Sequence, residues 1–299
     1  MLGTFASVEK KVIGQGTCVA YKTYSKSHGS LVFEHYKREL WAFKELAVDT
    51  KEASVQNHIV QLLDHQESVT SYHLIFPFYE DTLAIKMNGS AKNPQLAREF
   101  LQQISKGLAY MHRQGIIHCD LSPSNILIDD ESSRMFICDL GCAHLDSGSN
   151  EGSQSVANEE VGTRYYKAPE HLFGSRAYRP ATDVWSLGAI FLQLLIGYPI
   201  FNGESDIEQI GRSLRWPYIK EMVNYPDANK LIFFDDSNDP EMEEDSDQDD
   251  DFTNMRMSLA NVLEKEQISS DNQHIIMQIL TWSVNDRLTI AQLHNILAL

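Results

Sequence analysis

The chain has 299 residues, 42% of them apolar, enough for one large or two smaller packed cores. Its 25 Lys and Arg stand against 42 Asp and Glu, a formal charge of −17. That balance repels phosphates and argues against a nucleic-acid or anionic-membrane binder.

The charge is uneven. Eleven acids and no Lys or Arg fall in 235–251, so the remainder carries only −6. In chain order, Cys18–Tyr21 reads as a strand after the turn signal Gly14-Gln15-Gly16. From about Ser30 the apolar period changes, with Val32, Tyr36, Leu40 and Phe43 on one helical face. Ile59–Leu63 and Tyr72–Phe78 are strand-like again, joined by the polar stretch Asp64–Ser71. Beyond Pro77 the pattern is mostly helical. Leu96, Phe100, Ile104, Leu108 and Met111 stay in register over Gln95–Arg113. Asp183–Leu195 is apolar on nearly all sides, the pattern of a buried helix. A small mostly-β half followed by a larger mostly-α half predicts a two-lobed α+β design. Gly141–Glu160 and the acidic run are the stretches expected to be mobile.

Four cysteines, in a chain with no secretory leader read at its start, predict a reducing compartment, cytoplasmic or nuclear. Cys138 and Cys142 have no matching Cys/His pair at zinc spacing, so they read as packing thiols. The longest apolar stretch, Leu187–Phe201, is interrupted by Gln193 and falls short of the ~20 residues a membrane span needs.

The chemistry is concentrated in three segments. Ile116-Ile-His-Cys-Asp120-Leu-Ser-Pro-Ser-Asn125 places a carboxylate and an amide on one loop edge. Phe136-Ile-Cys-Asp139-Leu-Gly141 is a strand ending in an acid and a permissive glycine. Gly162-Thr-Arg-Tyr-Tyr-Lys-Ala168-Pro169-Glu170 follows at a suitable distance. Together and in this order they resemble the catalytic loop, magnesium loop and APE motif of the protein kinases. The resemblance implies the two-lobed protein kinase fold. Residues 1–79 would form an antiparallel-sheet N-lobe with one regulatory helix, and 80–299 a helical C-lobe with the acidic run as an insert. ATP and Mg2+ are the implied cofactors. Asp120 would accept or orient the proton of the substrate hydroxyl, and Asn125 and Asp139 would give hard oxygen ligands to magnesium. Asp183 resembles the residue that braces the catalytic loop, and Glu170 and Arg287 the ion pair that closes the large lobe.

Two lysines compete for the ATP-phosphate role. Trp41-Ala42-Phe43-Lys44 resembles the lysine strand, but Ile59 follows only 15 residues later and leaves no room for a helix and its connections. Val19-Ala20-Tyr21-Lys22 leaves that room. Lys22 then precedes Glu39 by 17 residues, and Arg38–Leu46 resembles the end of the regulatory helix. Lys22 and Glu39 are the expected pair. Gly14-Gln15-Gly16 becomes a hairpin turn, and the glycine-rich loop becomes Leu2–Val8, with Ala6 where a third glycine would stand. On this reading the chain starts inside the loop and the first strand is missing. Gly3, Val8 and Ala20 would line the nucleotide. Leu74–Tyr79 would lead into the adenine hinge, with Phe76 as gatekeeper and Phe78 or Tyr79 giving backbone hydrogen bonds.

Tyr165–Tyr178, Trp185–Phe191 and Phe201–Ile210 resemble the cyclin-dependent kinases. Trp216-Pro217 and Tyr225–Phe233 are similar to the cell-cycle-related and CDK-activating members. Four positions depart from the pattern. Cys119 replaces the arginine that receives a phosphorylated activation loop, so Ser147, Ser149, Ser153 and Ser155 lack that local cation. Ser122 replaces a lysine on the γ-phosphate, which should slow transfer and removes a usual Ser/Thr discriminator. Leu140 replaces a phenylalanine. The segment Gly29–Lys37 lacks the cyclin-binding consensus, which argues against cyclin dependence. Expected partners are protein substrates, other kinases among them. The acidic run is either a solvated loop or a docking site for basic partner segments. Two functions stay open: an active Ser/Thr kinase, and a pseudokinase scaffold with little or no phosphotransfer.

Overall fold

The computed structural model describes residues 6–14, 16–88, 92–146, 162–205, 209 and 259–297. The expectations placed on Gly3, on Ser147, Ser149, Ser153 and Ser155, on 216–233 and on the acidic run 235–251 lie outside the described residues.

Strands β1 (Ser7–Ile13) and β2 (Thr17–Ser25) pair antiparallel around Gly14 and Gly16. Both glycines have positive φ, 53° and 101°, which other residues adopt only under strain. The turn is therefore a hairpin, as expected. Helix α1 (Ser30–Leu46) follows, and its buried side includes Val32, Tyr36, Glu39 and Phe43. It stops where Ala47 turns left-handed and donates its N–H to Phe43 O. Helix α2 (Lys51–Asn57) comes next, with the Thr50 side chain accepting from Ala53 N.

β3 (Asp64–Glu67) and β4 (Ser71–Pro77) complete a sheet in the order β1-β2-β4-β3. Here the structure differs from the expectation for Ile59–Leu63. Ile59 makes a single parallel bridge to Ile137, and the strand proper is the polar stretch after it. All four β3 side chains are exposed at the sheet edge, so no apolar alternation marks them. In register, Lys22 lies opposite Val8 and Leu74, and Ala20 opposite Lys10 and Phe76. Those residues share one face of the sheet.

The second half begins with β5 (Asp81–Thr82), α3 (Leu83–Met87) and α4 (Pro94–Arg113). Asn93 caps α4 by accepting from Leu96 N, and Pro94 occupies its first turn. Short strands β6 (Ile116–Ile117), β7 (Ile126–Asp129), β8 (Arg134–Ile137) and β9 (His144–Leu145) frame the loops between them. Then come α5 (Pro169–Leu172), α6 (Pro180–Ile196), α7 (Leu259–Lys265), α8 (Ser270–Ile279) and α9 (Ile290–Leu297). α6 is buried at every residue from Thr182 to Leu192. Gly188 makes this fit possible, because a Cβ there would sit 2.1 Å from Ile279 Cγ2. The architecture is two-lobed and α+β, an antiparallel sheet with α1 followed by a helical half. No described helix is long and apolar enough to cross a membrane.

Candidate active site

The loop after β6 is fixed from behind by α6. Asp183, in the first turn of α6 and fully buried, accepts from His118 N and Cys119 N, both at 2.9 Å, and from His112 Nε2 at 2.8 Å. Burial pushes its carboxyl up, but His112 and the loop amides more than offset this and hold it below its usual range. His118 Nδ1 accepts from Asp120 N, so its Nε2–H donates to Cys138 O at 3.0 Å. Cys119 takes φ 65°, and this left-handed step turns the next residue, Asp120, toward the cleft.

Asp120 is gripped from the front. Its Oδ1 accepts from Thr163 N at 2.7 Å and Thr163 Oγ1 at 2.8 Å. Asn125 Nδ2 donates to Asp120 O at 2.8 Å and lies 3.3 Å from its Oδ2. Burial raises the Asp120 carboxyl, with the Thr163 bonds opposing.

Across the cleft, Lys22 Nζ lies 2.7 Å from Glu39 Oε2 on α1 and 2.8 Å from Asp139 Oδ1 after β8. Lys44 is exposed on α1 and takes no part. Burial alone would push the Lys22 ammonium down, but Asp139 and Glu39 overcome it and hold its pKa well above the usual lysine value. Burial raises Glu39, which is fully enclosed, against the pull of Lys22. For Asp139, Lys22 outweighs burial and the carboxyl is lowered. Asp139 has φ 61° and also accepts from Gly141 N. The left-handed residue here is thus Asp139 itself. A Cβ on Gly141 would come 3.3 Å from Asp139 Oδ1, a tight approach that Asp139 would have to ease, and 3.5 Å from His35 Nδ1, an ordinary contact. His35 Nδ1 (3.0 Å) and Arg38 Nη1 (3.2 Å) reach Gly141 O and tie α1 to this loop.

The other described residues expected at the nucleotide lie on β1, on β2, and on or just after β4. Val8 sits at the start of β1 opposite Lys22, and Ala20 lies beside Phe76. Phe76 is nearly buried and packs on Phe43 at 5.3 Å. Phe78 lies under Lys10 Nζ (4.2 Å), and the Tyr79 ring leans on Phe136 (5.2 Å). Away from the cleft, Arg287 makes a bidentate pair with Glu170 at 2.8 and 3.0 Å. Of the departures, Leu140 and Ser122 are buried, and Cys119 packs with Ile117, Tyr178 and Cys142. Tyr24, His35, Arg38 and Thr163 are site residues that motif reading passes over. For the first three a signal exists: Tyr24 is two from Lys22 on a strand, and His35 and Arg38 lie within one turn of Glu39.

The protein kinase domain family matches residues 2–296. The chain belongs to the protein kinase family. This kinase-family chain is 34% identical over 194 residues to cyclin-dependent kinase 20 of Danio rerio, covering 61% of the chain and 54% of that protein. It is 32% identical over 252 residues to cyclin-dependent kinase D-1 of Oryza sativa subsp. japonica, covering 76% and 56%. It is also 32% identical over 198 residues to cyclin-dependent kinase-like 2 of Rattus norvegicus, covering 65% and 36%. The kinase is thus a divergent relative of the cyclin-dependent kinases, and it spans about half the length of the first two relatives it matches.

Proposed function

We propose that this chain is a protein serine/threonine kinase that transfers the γ-phosphate of ATP to a protein hydroxyl. The observation that carries this reading is Lys22, held between Glu39 and Asp139 and facing the loop that bears Asp120 and Asn125. Lys22 would meet the phosphates of ATP as a fixed positive charge. Phosphoryl transfer needs little covalent work from a protein, so such positioning is most of catalysis.

The donor set also fits magnesium. Asn125 spends its amide N–H on Asp120, which leaves its carbonyl oxygen as the free ligand atom. Asp139 Oδ1 is engaged by Lys22 and Gly141, and its Oδ2 takes no hydrogen bond from the described residues. Both are hard oxygen donors. Among the described residues no three His, Cys, Asp or Glu side chains cluster as a metal site of their own. Asn125 and Asp139 would therefore hold the ion together with phosphate oxygens and water. Bound there, magnesium would neutralise phosphate charge and fix the geometry of the phosphates. Asp120 would take the proton of the acceptor hydroxyl. The hydroxyl oxygen bonds to the γ-phosphorus, the bond to the β-phosphate oxygen breaks, and ADP departs.

Resemblance to the CDK-activating members favours other kinases as substrates. His35, Arg38 and Lys22 hold α1 to the cleft, and the segment Gly29–Lys37 lacks the cyclin-binding consensus, which favours activity without a cyclin-type subunit. The second reading, a scaffold without phosphotransfer, rests on Ser122, a buried hydroxyl where a cation is expected. Incubation with Mg-ATP and a panel of protein substrates separates the two. Asp120→Asn should reduce transfer by about 10²–10⁴-fold and leave nucleotide binding in place. Transfer no greater in the parent than in Asp120→Asn would refute the kinase reading. Stabilisation of that parent by nucleotide would then leave an ATP-binding scaffold.

A further inference from the structure

β2 presents Lys22 and Tyr24 two residues apart on one face, and both reach Glu39. Tyr24 Oη donates to Glu39 Oε2, the same oxygen that accepts from Lys22 Nζ. Glu39 Oε1 is buried with no hydrogen-bond partner among the described residues. Those two donors are therefore all that orient the carboxylate. Tyr24 is 1% exposed, and its ring stands edge-on to Tyr36 at 5.7 Å. Tyr36 in turn stacks on Tyr72 of β4 at 4.6 Å. Tyr36 and Glu39 are three apart on α1 and face the same way. One strand residue thus grips the helix at two neighbouring points, by its ring and by its hydroxyl.

We propose that Tyr24 is a positioning residue that orients Glu39 so that Lys22 is shared between Glu39 and Asp139. This rests on the reading of the cleft as an ATP-phosphate site. Without the hydroxyl, Lys22 is the only donor left to a buried carboxylate and is drawn toward it, away from Asp139 and the phosphates. Burial keeps the Tyr24 phenol protonated, and so donating, across the neutral range. A lysine that meets the phosphates both binds them and fixes their geometry for transfer, so its displacement lowers kcat/KM for ATP, with the lost positioning falling on kcat.

The test is Tyr24→Phe, which keeps the ring on Tyr36 and removes only the hydroxyl. kcat/KM for ATP should fall about 3- to 10-fold. Amide exchange over 30–46 in the nucleotide-free protein should quicken. In a Glu39→Ala background the same substitution should change kcat/KM by less than about twofold, because its route runs through Glu39. Unchanged kcat/KM in Tyr24→Phe, or an equal loss on the Glu39→Ala background, overturns the proposal. Lys22→Met serves as the control on the site. If it leaves kcat/KM for ATP unchanged, the phosphate reading fails, and exchange over 30–46 alone judges the anchor. Faster exchange in Tyr24→Phe then supports it, and unchanged exchange overturns it.

Discussion

Replacing Lys22 by Met keeps the length of the stem and removes the ammonium. Glu39, fully buried, then keeps Tyr24 as its only hydrogen-bond donor. A buried carboxylate stripped of its cation costs about 3–5 kcal/mol if it stays charged. It has an alternative, which is to take up a proton, and that sets the ceiling. From an unperturbed value of 4.5, holding a proton at pH 7 costs about 3.4 kcal/mol. At pH 5 the same proton costs only about 0.7 kcal/mol. The sign follows from burial, which already raises Glu39 and raises it further once Lys22 is gone. A carboxyl raised in the folded state contributes its stability below the unfolded pKa and loses it as pH rises toward the folded one. The deficit of Lys22→Met should therefore grow from pH 5 to pH 7. Urea denaturation followed by circular dichroism at pH 5, 6 and 7 measures it. Lys22→Met/Glu39→Gln should recover most of the stability and lose the pH dependence, while ATP binding stays impaired. A deficit that is flat with pH, or equal in the double variant, refutes the reasoning.

Two further substitutions probe the helical half. Glu170→Ala leaves the buried Arg287 guanidinium with the carbonyls of Thr281, Ala181 and Trp282 and no counter-charge. The expected loss is about 3–5 kcal/mol, or a fall in Tm of about 5–8 °C by thermal denaturation, and Glu170→Met/Arg287→Met should recover most of it. Gly188→Ala drives a methyl into Ile279 and should cost about 1–3 kcal/mol. A smaller cost of Gly188→Ala in an Ile279→Ala background than in the parent, read by the same assay, would locate the clash.

Legibility followed the range of the interactions. The hairpin at Gly14 and Gly16, helix α1 and the buried α6 are written in local signals: turn glycines and apolar periods. The placement of Lys22 beside Glu39 was legible because chain length left no room for the Lys44 alternative. β3 was not legible, since an edge strand with four exposed polar residues has no pattern to show. α2 was missed because seven residues with one buried side chain, Ser54, carry too short a period. The grip of Thr163 on Asp120 spans 43 residues, and no spacing argument reaches that far. Tyr24 was hidden for a different reason. Its hydroxyl matters because it and Lys22 are the two donors to a buried carboxylate among the described residues, and that is a property of packing.

The departures from the kinase pattern sort by the same logic. Cys119 sits at a left-handed φ of 65°, a conformation that costs a non-glycine residue of order 1–3 kcal/mol. What holds it there is the backbone, because Cys119 N donates to buried Asp183. The side chain at 119 is not what shapes the loop. It points instead into an apolar patch with Ile117, Cys142 and Tyr178, and Tyr178 stacks on His144 of β9 at 3.7 Å. An arginine at this position would bring a charge into that apolar patch, whereas a buried thiol presents packing surface. Ser122 differs in kind, because it is a buried hydroxyl where the family resemblance would place a cation.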